Sequence, residues 1–112
     1  MSPVLFALDT GVGVFEFCDL MAGAHLKPAF LEKNPFHTIP TYEGKDGYML
    51  GESNAILRYM AAKYRPEYYP DGDAKMRARI DWAMDSMGTS VYQKWNQRTY
   101  PVLGFGSHPA DQ

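Results

Sequence analysis

Cysteine is almost missing from this chain of 112 residues. Cys18 is the only one, so no internal disulfide can form and a disulfide-stapled secreted scaffold is excluded. Histidine is scarce as well: His25, His37 and His108 lack metal-ligand spacing, and no metal site is expected. The chain has no Asn-x-Ser/Thr acceptor and no excess of either charge, with eleven Lys and Arg against thirteen Asp and Glu, a formal net charge of -2. That balance offers no electrostatic footprint for nucleic acid or an anionic membrane, so neither is expected as a partner. Long apolar runs are also absent. Val4 to Leu8 ends at Asp9 and follows no basic stretch, so the expectation is neither a membrane span nor a signal peptide but cytoplasmic residence. What remains is an ordinary globular balance, 46% hydrophobic and 21% charged, enough for a modest core and too little chain for a conventional two-domain enzyme.

Glycine and proline divide the chain. A short helix over Val4 to Thr10 stops at Gly11, and Val14 to Leu20, with Val, two Phe and Cys18, is predicted to be a strand that buries Cys18 as an inert thiol. The pair Gly11 and Gly13 falls short of a dinucleotide fingerprint because the third glycine position is Glu16. Pro28 opens a short helix that Asn34-Pro35 ends, and Thr38 to Glu43 with Tyr48 to Leu50 forms a hairpin around Gly44-Lys45-Asp46-Gly47. From Glu52 the period becomes helical, with Ile56, Leu57, Met60, Ala61 and Tyr64 on one stripe. After a proline-rich stretch, Asp73 is predicted to cap a long helix towards Thr99, with Met76, Ile80, Ala83, Met84, Met87, Val91 and Trp95 on a core-packing face, and the tail from Tyr100 is irregular.

Two segments carry the chemistry. Ile39-Pro40, just before a strand, is a candidate cis peptide that would turn the backbone N–H and C=O of Ile39 outward, free to pair with an extended peptide. Glu52-Ser53 stands where strand gives way to helix. Free N–H groups and the positive dipole end there favour a carboxylate, Ser53 adds a hydroxyl donor, and the Glu52 carboxylate can accept an amine. Such a pair suits a zwitterionic end carrying both groups. Its plainer alternative is ordinary helix capping.

In order along the chain, Gly23 to Pro28, Asn34 to Thr41, Glu52-Ser53 with Ala55-Ile56-Leu57, and Asp85 to Thr89 resemble stretches of the glutathione transferases, closest to their theta- and delta-like classes. The resemblance covers nearly the whole chain. It implies an α/β fold: a thioredoxin-like, glutathione-binding domain at 1–65 without its first strand, a linker at 66–72, and at 73–112 the first long helix of an all-helical domain. It further implies that Ile39 pairs with the cysteinyl unit of glutathione, that Pro40 is cis, that Glu52 and Ser53 hold the γ-glutamyl end, and that His25 and His37 face the glycyl carboxylate and the peptide's polar groups. Glutathione would be the co-substrate, with no metal, and a small electrophile the second partner. A homodimer or other self-association would cover the apolar face of the long helix. Ser2-Pro3 resembles the family's Ser-x-Pro loop, but only seven residues separate it from Gly11, so the activating residue is left unassigned. Asn54 stands where the delta-like class often has Arg, which weakens one anchor of the glutamyl carboxylate. The alternative from another class is a non-catalytic interaction module of the same fold, as found on translation factors and synthetases.

Overall fold

The computed structural model describes residues 2–103, Ser2 by its backbone alone, and divides after Asp71 into two compact units. The first begins with helix α1 (Ser2–Thr10). Gly11 at φ 68° closes it, allowing the Val12 N–H to reach back to the Ala7 carbonyl at 3.0 Å, so that Val12 packs on the core beside Ala7. A 3-10 turn at Ala24–Leu26 leads into the single-turn helix α2 (Pro28–Leu31), with Pro28 at its first position.

Strands β1 (Tyr42–Glu43) and β2 (Met49–Leu50) form an antiparallel hairpin, with Tyr42 opposite Leu50 and Glu43 opposite Met49. It is shorter than expected, since residues from Thr38 to Thr41 belong to the preceding loop. At the reversal Gly47 takes φ 81°, which favours glycine, and a Cβ on Gly44 would fall 2.5 Å from Asp46 Oδ1, so a side chain there would displace that carboxylate. Helix α3 (Ser53–Tyr64) follows. Its expected stripe is where the core lies: Ile56 is 2% exposed, Met60 and Ala61 are buried, and Ala7 of α1 joins Ile56 and Met60. Tyr59 ties α3 to the hairpin through rings 5.3 Å from Tyr42 and 5.1 Å from Tyr48. The Tyr42 and Tyr64 hydroxyls share a hydrogen bond of 3.4 Å, which pushes Tyr42 up to about 12, so that phenol stays neutral at physiological pH. A 3-10 turn at Pro66–Tyr68 comes next, and Tyr68 meets Phe6 edge to face at 6.3 Å.

The second unit holds α4 (Ala74–Ser86), capped as expected by Asp73, whose Oδ1 accepts the Met76 N–H at 2.9 Å. It runs through a π turn at Met87–Val91 into α5 (Tyr92–Thr99).

Three expectations are corrected. Val14 to Leu20 forms no strand: Val14 is 99% and Phe17 89% exposed, and the β1–β2 hairpin is the only sheet among the described residues, which leaves this segment without a ladder to join. Cys18 is accordingly a half-buried thiol on an irregular segment and no strand residue. The methionine stripe of the long helix is also not a packed core within this chain. Among the described residues Met60 is the one buried methionine, while Met76 and Met87 are exposed. No described helix is long and apolar enough to cross a membrane.

Candidate functional site

The loop between α2 and β1 is built around Asn34, a polar residue only 5% exposed. Its amide nitrogen donates to the Thr38 carbonyl at 3.0 Å, to Thr41 Oγ1 at 3.0 Å and, more weakly, to Thr38 Oγ1 at 3.3 Å. Its Oδ1 accepts the Phe36 N–H at 3.1 Å. Both ends of the amide are therefore occupied, as burial of a primary amide demands. The Thr41 hydroxyl donates in turn to the Thr38 carbonyl at 3.0 Å, closing a knot on which Ile39 and Pro40 are carried. The Ile39-Pro40 bond is cis as expected, and Ile39 is exposed.

His37 sits on the same loop at φ 46°, its N–H donating to the Asn34 carbonyl at 2.9 Å. Its ring lies 6.1 Å from that of His25, the planes tilted by 45°. The two histidines, twelve positions apart, are thus neighbours. The Nδ1 atom of His25 is buried and has no hydrogen-bond partner among the described residues.

Glu52 and Ser53 stand at the start of α3, Glu52 at the capping position and Ser53 as first residue. Glu52 holds φ 65° and ψ 119°, a conformation strained for any residue with a Cβ. Its carboxylate makes no capping hydrogen bond to the helix, so the plain capping role is not the one observed. The start of a twelve-residue helix, with its positive dipole end, thereby lacks a side-chain cap from Glu52 and stands beside a hydroxyl donor and an exposed carboxylate.

Asn34 joins these parts. Gly51, which precedes Glu52, lies against its amide: a Cβ on Gly51 would sit 3.4 Å from Asn34 Nδ2. One side chain thus holds the 35–41 loop and abuts the turn into α3. In the sequence alone Asn34 stands only as a helix end, within one of the stretches that carry the resemblance. The signal that could have found it is the pair of hydroxyl residues Thr38 and Thr41, four and seven positions on. No group of three or more His, Cys, Asp or Glu among the described residues could hold a metal. The Ser2 hydroxyl and His108 lie outside the described residues.

Residues 4–68 match the family described as glutathione S-transferase, N-terminal domain. Human glutathione S-transferase theta-1 is 36% identical over 91 residues, a stretch covering 76% of this chain and 38% of that protein. Among solved structures, a delta-class glutathione transferase of Nilaparvata lugens aligns at a TM-score of 0.83 with 32% identity, over 99% of this chain and 55% of the other. An epsilon-class glutathione S-transferase of the housefly Musca domestica gives 0.80 with 30% identity, over 91% and 48%. The chain therefore spans about half the length of its structural relatives, or less. Its fold is theirs: an α/β thioredoxin-like half with a small antiparallel sheet, followed by a long helix that starts a helical domain. With more than half its residues matched to the N-terminal domain, the chain belongs to the glutathione S-transferase family.

Proposed function

We propose that this chain binds glutathione between the 35–41 loop and the start of α3, and that it serves the glutathione transferase reaction, in which the thiol is conjugated to small electrophiles. The observation that carries the proposal is the α3 N-terminus: uncapped by its own side chain, opened by Ser53, and preceded by Glu52 in a strained conformation. A γ-glutamyl end matches this arrangement in both charges. Its carboxylate takes the helix N-terminus and the Ser53 hydroxyl, and its amine takes the Glu52 carboxylate. The backbone of Ile39 pairs with the cysteinyl unit. His25 and His37 receive the glycyl carboxylate and the peptide's polar groups, and the 6.1 Å between their rings supports that part of the reading.

In the conjugation the sulfur attacks an electrophilic carbon, forming a C–S bond as the leaving group departs with its electron pair. The residue that would help the thiol lose its proton is unassigned. The same proposal takes 1–65 as the glutathione-binding domain, 66–72 as its linker and 73–112 as part of the helical domain. It includes self-association as a homodimer and a cytoplasmic place in detoxification, the latter supported by the single cysteine.

Calorimetric titration with glutathione tests the binding. The Ser53 hydroxyl bond to a carboxylate is charge-assisted, so Ser53→Ala should weaken binding by roughly 1.5 to 3 kcal/mol, about 10- to 150-fold in Kd. Equal affinity in both chains would remove Ser53 from the site.

A further inference from the structure

We infer that Asn34 is a positioning residue that sets the two arms of the glutathione site jointly, so that neither the Ile39 arm nor the Glu52-Ser53 arm keeps its geometry without it. The inference rests on the binding reading above, because the arms are named by what they would hold.

Its basis is the geometry around one buried amide. On one side Asn34 holds the loop by bonds to Phe36, Thr38 and Thr41 at 3.0 to 3.3 Å, and Thr38 is the residue directly before Ile39. On the other side the same amide meets the backbone of Gly51, the residue directly before Glu52. A Cβ at 51 would lie 3.4 Å from Nδ2, at the limit of ordinary contact, so a side chain larger than alanine's would press on the amide. Glu52 is held at φ 65° immediately after that contact, and a residue persists in a strained conformation only where its surroundings over-determine it. The Asn34 amide is one such constraint. Its nitrogen is fully engaged with the loop through Thr38 and Thr41, so a displacement of the loop carries the amide with it and away from Gly51.

Asn34 does not touch the proposed ligand groups. Its effect would pass through the residues that do, and this predicts coupling. In a double-mutant cycle on the full 112-residue chain, Asn34→Ala should weaken glutathione binding at least about tenfold, and Ser53→Ala should then cost less than about threefold further. A second readout needs no ligand. Amide hydrogen exchange in the Asn34→Ala chain should quicken at Phe36 and also at Ile56, whose N–H closes the first turn of α3 on the Glu52 carbonyl at 2.9 Å. The Val12 and Arg65 amides, bonded to Ala7 and Ala61, should keep their protection. A merely structural role would speed all four alike.

Should the Asn34→Ala chain fail to fold, Gly51→Val reads the same contact from the opposite side, and is expected to weaken glutathione binding and loosen the Phe36 amide. Strictly additive effects of Asn34→Ala and Ser53→Ala would overturn the inference. So would an Ile56 amide unchanged by Asn34→Ala, or a Phe36 amide unchanged by Gly51→Val. If the unmodified chain takes up no glutathione, the binding proposal fails by itself, while the exchange pattern still decides whether Asn34 couples the two arms.

Discussion

A glutamate at φ 65° is unusual because its Cβ crowds its own backbone, and about 1 to 3 kcal/mol is the ordinary cost of such a position. Glu52 accepts that cost while its side chain makes no capping bond to the helix it precedes, so capping does not account for the strain. Replacing it with glycine separates the two effects. Glu52→Gly is expected to stabilise the fold by about 1 kcal/mol, raising the melting temperature by roughly 4 to 8 °C, and to weaken glutathione binding. Thermal unfolding followed by circular dichroism checks the first half and calorimetry the second; a lower melting temperature would show that the Glu52 side chain supports the fold itself. Glu52 and Ser53 were legible in the sequence because acid and hydroxyl stand side by side where a hairpin strand meets an amphipathic helix. Asn34 was not, because its role exists only once Thr38, Thr41 and Gly51 have folded against it.

Elements show the same division between local and non-local information. α1, α2, the hairpin turn, α3 and the Asp73 cap were readable because their determinants lie within one turn of chain: a left-handed Gly11, Pro28 at a first position, Gly47 at positive φ, a stripe of apolar residues. The Val14 to Leu20 strand was predicted from composition, yet a strand is stable only when a neighbour satisfies its backbone groups, and the composition of one segment carries no information about its neighbour. The π turn at Met87–Val91 was not foreseen either. It falls at Gly88, the weak point of the helix, where the Thr89 hydroxyl donates to the Asp85 carbonyl at 2.9 Å. Along α4 and α5, Trp82 is 74% exposed, and Met87, Val91, Tyr92 and Trp95 are exposed as well. These exposed apolar side chains are the ground on which self-association is proposed. Sedimentation at micromolar concentrations is expected to show dimers or larger species, and a monodisperse monomer would contradict that expectation.

At the scale of the whole molecule, the buried set is small: Ala7, Ile56 and Met60 form the central cluster, with Phe6, Val12, Tyr42, Leu50 and Tyr59 packed around it. This cluster lies under the hairpin and α3, so the best-supported part of the fold is the part that carries Glu52 and Ser53. The Ile39 arm is carried by the Asn34 knot, whose amide also lies beside Gly51 at the turn into α3. Binding at both arms is thus the claim on which everything else depends, and titrating the isotopically labelled chain with glutathione while following its amide resonances tests it most directly. The expected result is saturable shifts concentrated at His37, Ile39 and Glu52 to Asn54, with α4 and α5 unmoved. Shifts confined to α4 and α5, or none at millimolar glutathione, would contradict the account.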